Sequence, residues 1–218
     1  MCYCLDVTKY LKVGYYPLFR EFPDPRDLQE ALEGVIDKII HMDIATYYSL
    51  KTSTLPVFRK ILYFIHTSPP SLININRIAK SLAKDHTDVA NYLEMLKDAG
   101  LLRFLLIDKA GHALIRNAEK VYLNNTNLAY TLERATGKVV NLGQLRELFF
   151  IASLENAGLK PFYSKMGDVK CENYIFEVGG VGKDLAQAKD QKNAFIVADN
   201  MLFGTDRKLL LYLFGFLY

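Results

Sequence analysis

Between Pro25 and Tyr48, Leu28, Leu32, Val35, Ile36, Ile39, Ile40 and Ile44 recur at spacings of three and four residues. That period lines one face of a helix, so the stretch predicts one amphipathic helix, or two with a break near Met42. Ahead of it, Gly14 and Pro17 in "VGYYPLFRE" mark a turn. Residues 1–53 read as a small helical segment. The same period then returns in shorter pieces. Val57, Ile61, Leu62 and Ile65 predict a helix that stops before Pro69 and Pro70, and a second runs from about Asn76 to Ala83. Beyond the polar turn "KDHT", a third helix has Thr87 as its expected N-cap, turns Val89, Leu93 and Leu96 inward and stops at Gly100. "LLRFLLI" and "HALIRN" flank the turn "DKAG" and predict a hairpin. Three short helices and a hairpin over residues 54–125 predict a winged helix-turn-helix.

The remaining residues, 126–218, alternate differently. A helix from about Gly143 to Ala157 is followed by strands at "KPFYSK", "DVKC" and "NYIFEV", a helix at "KDLAQAKD" and a buried strand at "AFIVAD". An αβββαβ order is that of restriction-endonuclease-like cores. The fold class expected is therefore α+β: a helical segment, a winged helix-turn-helix and a nuclease-like core. The C-terminal run "LLLYLFGFLY" is about half of a membrane span and predicts a buried strand or helix end. The N-terminus lacks the charged start, apolar middle and small-residue cleavage site of a secretory signal, so a cytoplasmic protein without a membrane role is expected.

Composition narrows the functional classes only a little. Half of the 218 residues are hydrophobic, which argues for folding rather than disorder. The net charge of +3 is too small for a general attraction to nucleic acid, so DNA binding would need a local patch. Cys2, Cys4 and Cys171 show neither CxxC nor His spacing and read as reduced thiols, not as a disulfide or a zinc site.

A recognition helix enters the major groove with polar side chains at its start. Here it offers His86, Thr87, Asn91 and Lys97, with Arg77, Lys80 and Lys84 just before it and Lys109, His112 and Arg116 on the wing. The cations suit phosphates and Asn91 suits an adenine edge, while Asp88 and Glu94 oppose a polyanion. Winged helices also pack against protein partners, so both uses stay open.

"EVGGVGKD", residues 177–184, holds the second half of a phosphate loop. Glu177 stands where the first glycine belongs and Asp184 where the hydroxyl belongs, so no nucleotide site is expected in this chain. A nuclease core instead needs an Asp, then Glu-x-Lys, often with a helix carboxylate, to hold magnesium and position water. Glu147, Asp168 and Glu177 fill the acidic places, but residue 179 is glycine and Lys183 is the nearest basic substitute. The catalytic and metal-binding candidates thus form a degenerate set.

Several stretches together resemble prokaryotic AAA+ ATPases that carry, after the ATPase module, a winged helix and a restriction-nuclease-like C-terminal domain. They are "YLKVGYYP" from Tyr10, "HMDI" ending at Ile44, "VANYLEMLKDAGLL" from Val89, "KVYLNNTNLAYTL" from Lys120, "GQLRELFF" with Glu147, "FYSKMGD" with Asp168 and "FEVGGVGK" with Glu177. The resemblance covers almost the whole chain. It implies that this is the C-terminal portion of a longer ATPase or a truncated relative, because neither a phosphate loop nor a Walker B strand is present. Met1 then falls near the end of the ATPase's helical lid. ATP and magnesium would belong to the ATPase module, not to this chain. Asn125 and Asn127 replace an acidic residue and a glycine, which predicts a weaker polar role for that segment. Glu177 followed by Gly179 resembles a branch with Glu-hydrophobic-Gly-Gly and a nearby lysine, which implies a repurposed core. The expected function is noncatalytic recognition of DNA or a protein partner on behalf of the ATPase. The rivals are a magnesium-dependent nuclease and a stand-alone winged-helix DNA binder.

Overall fold

The computed structural model describes residues 7–68, 74–108, 118–185 and 188–217 of the chain. They form a mixed α+β protein built around two apolar clusters. The chain begins with a short helix, α1 (Val7–Lys9), and a π-helical turn, Tyr10–Gly14. Helix α2 (Pro25–Lys38) starts where Asp24 accepts a hydrogen bond from the Arg26 amide and proline occupies the first helical position. It continues without a break through a π-helical segment, Ile39–Ile44, into α3 (Ala45–Tyr47). Leu28, Leu32, Ile36, Ile40 and Ile44 form the buried stripe. Val35, expected on it, sits about 100° round the helix from Ile36 and is exposed.

Helices α4 (Pro56–Thr67), α5 (Ile75–Leu82) and α6 (His86–Asp98) follow, then the antiparallel pair β1 (Leu102–Leu106) and β2 (Ala118–Leu123). Asn74 caps α5 through the Arg77 amide, and Ala83 ends it in the left-handed region. Thr87 is not the cap of α6. The extended Asp85 holds that position, and Thr87 lies inside the first turn. Gly100, at φ 72°, closes the helix as expected. Among the described residues β1 pairs with "AEKVYL", whose Val121 and Leu123 alternate into the core, while "HALIRN", expected as the second strand, falls on residues 112–117. Residues 109–117, with Lys109, His112 and Arg116, lie outside the described residues.

Helix α7 (Thr126–Thr136) is capped by Asn125, whose side chain accepts from the Leu128 amide, and ends at Gly137. Leu128, Ala129 and Leu132 join the first cluster beside the inward residues of α4 and α6. The two asparagines have a stronger polar role than the sequence implied. Asn127 is fully buried. Its Oδ1 accepts from the amides of Tyr15 and Tyr16 at 3.0 and 3.3 Å, and its Nδ2 donates to the Leu11 carbonyl at 3.0 Å. Asn125 donates to the Tyr16 hydroxyl at 2.6 Å. A segment more than a hundred residues away is thus clasped to α7 by amide groups that would otherwise lack partners.

Helix α8 (Leu142–Asn156) buries Leu148, Phe149, Phe150, Ile151 and Leu154 against a five-stranded sheet. The sheet order is β3 (Pro161–Tyr163), β4 (Val169–Cys171), β5 (Tyr174–Gly179), β6 (Ala194–Ala198) and β7 (Lys208–Leu210). β3, β4 and β5 pair antiparallel; β5, β6 and β7 pair parallel. The helix expected at "KDLAQAKD" is not formed by its described residues: 183–185 are irregular and 188–190 are a turn. Eight residues supply little helical stability of their own, and the Lys183 side chain is committed to a cluster described below. Of the C-terminal apolar run, Leu210 and Leu211 are buried while Phe216 is exposed. Cys171 is a buried free thiol; Cys2 and Cys4 lie outside the described residues. Among the described residues no helix is long and apolar enough to cross a membrane.

Candidate functional site

The hairpin meets the sheet edge to edge. Ile107 bridges Tyr163 in parallel, and Lys170 pairs with Asp108 at 2.5 Å. Behind this seam, β2 presents Lys120 and Tyr122 on one face, since alternate residues of a strand point the same way. Helix α8 brings Glu147 to them, its Oε2 accepting from the Lys120 ammonium at 2.8 Å and the Tyr122 hydroxyl at 2.6 Å. Asp168, in the turn before β4, accepts the Val178 amide at 2.8 Å and the Lys183 ammonium at 3.1 Å, and its other oxygen faces Lys120 at 3.9 Å. Glu177 on β5 pairs with Lys183 at 2.8 Å.

All four sequence candidates, Glu147, Asp168, Glu177 and Lys183, therefore converge in one network. Lys120 and Tyr122 complete it. Gly179 also gains a reason: a Cβ at this position would lie 3.0 Å from three Lys183 carbons, so the glycine makes room for the lysine that crosses it.

The network is mostly removed from water; the Lys120, Glu147 and Asp168 side chains are 14, 13 and 18% exposed. Burial raises the Glu177 carboxyl above its ordinary range, with Lys183 acting against that and Asp168 adding to it. For Lys183, burial acts against the ammonium, but the hydrogen bond with Glu177 and the charge of Asp168 prevail and hold it above the usual lysine value. The Tyr122 hydroxyl is pushed well up by burial and then by the Glu147 charge.

These side chains do not fit a divalent cation in this arrangement. Glu147 Oε2 is held by an ammonium and a phenol, and both Asp168 oxygens face ammonium groups, so a metal ion among them would lie against Lys120 and Lys183. Among the described residues no group of three His, Cys, Asp or Glu side chains converges as a metal site.

The second set of candidates lies elsewhere. Arg77, Lys80, Lys84, His86, Thr87 and Asn91 are all exposed around the α5–α6 turn. Arg77, Lys80 and Lys84 make no ion pair with the described residues; Arg77 lies over the Phe64 ring at 5.8 Å. Lys97 is set apart at the far end of α6, its ammonium 5.8 Å from the centre of the Phe104 ring.

Sequence reasoning missed Lys120 and Tyr122. The available signal was the alternation in "KVYL", which puts both on the face opposite the core-facing Val121 and Leu123. The family described as Domain of unknown function (DUF8612) matches residues 5–139. No curated protein and no solved structure matches the chain.

Proposed function

We propose, for a chain that belongs to the family Domain of unknown function (DUF8612), a noncatalytic recognition role in which a winged helix-turn-helix binds DNA beside a nuclease-like core. The observation that carries the reading is the occupation of all three core carboxylates by Lys120 and Lys183. With both ammonium groups among the carboxylates, the reading gives this core a role in form and rigidity and not in hydrolysis. In this reading α4, α5, α6 and the β1–β2 hairpin are the winged helix, and α8 with the five-stranded sheet is the nuclease-like core.

Arg77, Lys80 and Lys84, exposed and without an ion pair among the described residues, lie beside His86, Thr87 and Asn91 and support DNA as the partner. Cations neutralise phosphates while the polar side chains at the start of α6 reach base edges. The resemblance to AAA+ ATPases adds that occupancy of this cytoplasmic portion is passed to an ATPase module, where ATP and magnesium would act.

Electrophoretic mobility shifts on the full chain test the reading. Duplex DNA should bind with an affinity that falls as salt rises, by a slope of about 0.9 per neutralised phosphate. Lys80→Ala with Lys84→Ala should weaken binding and flatten that slope by about 2. DNA cleavage in magnesium or manganese that disappears in Glu177→Ala would overturn the noncatalytic assignment. Absence of binding at low salt would remove DNA as the partner.

A further inference from the structure

A cleft of about 730 Å³, lined by no residue of the charged network, opens between the C-terminal end of the α2–α3 helix and that of α6. Its walls include Met42, Asp43, Tyr47, Tyr48 and Asp98, and among the described residues no basic side chain lines it. Tyr47 is 82% and Met42 57% exposed, an unusual display of large apolar surface for residues so close together. The two tyrosine rings meet edge to face at 4.8 Å, and the Tyr48 hydroxyl donates to Asp98 at 3.2 Å.

The electrostatics of the cleft have one sign. Asp98 is the last residue of α6, where the helix dipole already concentrates negative charge, so a carboxylate there is locally unfavourable. Asp43 adds a second carboxylate, and neither is ion-paired to a described residue. The backbone of the cleft wall also departs from the regular helix, since Ile39–Ile44 is π-helical, a departure frequent at functional sites.

We propose that this cleft docks a protein partner through an arginine or lysine flanked by apolar side chains. The cation meets Asp43, Asp98 and the helix ends, the tyrosine faces receive it from the side, and the flanking groups cover Met42 and Tyr47. Charge complementarity selects this occupant, since an acidic or purely apolar segment would leave two carboxylates unpaired in a covered cleft. The inference is independent of DNA binding by α5 and α6.

Isothermal titration of the full chain, without DNA, tests it with three probes. The first is a short amphipathic peptide of Leu, Ala and Arg; the second has Glu for Arg; the third is spermidine. The Arg peptide should bind, with affinity falling at least about tenfold in Tyr47→Ala and in Asp98→Asn. Both positions are exposed, and an unchanged thermal midpoint for each variant confirms that its fold is intact. Equal binding of the Glu peptide, failure of the Arg peptide to bind, or wild-type affinity in either variant overturns the proposal. So does spermidine binding without peptide binding, which would make the cleft a small-cation site.

Discussion

Replacing Lys120 by methionine keeps the length of the side chain and removes its charge. Glu147 then keeps the Tyr122 hydroxyl but loses the ammonium at 2.8 Å, and Asp168 loses a cation at 3.9 Å. The pair is 14 and 13% exposed, which puts it among buried ion pairs, where removing one partner costs about 3–5 kcal/mol. The surviving phenol bond and the residual solvent contact place Lys120→Met at the lower end, about 3 kcal/mol. For a chain of this length that is roughly 6–12 °C in thermal midpoint. Adding Glu147→Gln removes the orphaned charge, and the double variant should recover to within about 1 kcal/mol of wild type. Because the chain has no tryptophan, urea unfolding is best followed by far-ultraviolet circular dichroism, with an unchanged slope showing that only stability has moved. A loss below about 0.5 kcal/mol, or a double variant no better than the single one, would refute the network as a buried unit.

Two further outcomes follow from buried polar groups. Asn127→Ala strips partners from the amides of Tyr15 and Tyr16 and the carbonyl of Leu11; a cost of about 2–4 kcal/mol is expected, with earlier cleavage near Tyr15 in limited proteolysis, and wild-type resistance would count against the clasp. Tyr122 and Lys183 both have folded pKa values raised above their ordinary ones, so their contribution is complete below about pH 10 and declines as pH rises through the folded values. Unfolding free energies from urea titrations should accordingly fall as pH rises above about 10, by at most about 1.4 kcal/mol per pH unit per group, and Tyr122→Phe should make that fall shallower.

The helices were legible because their apolar residues keep a period that only one geometry satisfies. Leu28, Leu32, Ile36, Ile40 and Ile44 remain on one stripe even through the π-helical segment, which no residue pattern announced. Short elements set by distant contacts were less legible. The pairing of "AEKVYL" with β1 was not read from the sequence because it is set by the docking of Val121 and Leu123 on the first core. Helix α7 went unseen although Asn125 is an ordinary N-cap, and the helix expected at "KDLAQAKD" is absent from its described residues because local propensity is weak over so few positions. Glu147, Asp168, Glu177 and Lys183 could be gathered from motif order alone. Lys120 and Tyr122 could not, because they reach the network from the hairpin, and nothing local in "KVYL" records which sheet it will abut.

Gly179 and Lys183 also constrain how this chain can change by mutation. With Lys183 lying across residue 179, a side chain there would meet its carbons at 3.0 Å, so any substitution must push the lysine aside by a few tenths of an ångström. A substitution at residue 179 therefore acts on the ammonium that pairs with Glu177 and Asp168 without touching either carboxylate, so its effect should be read at the charged network and not at the strand.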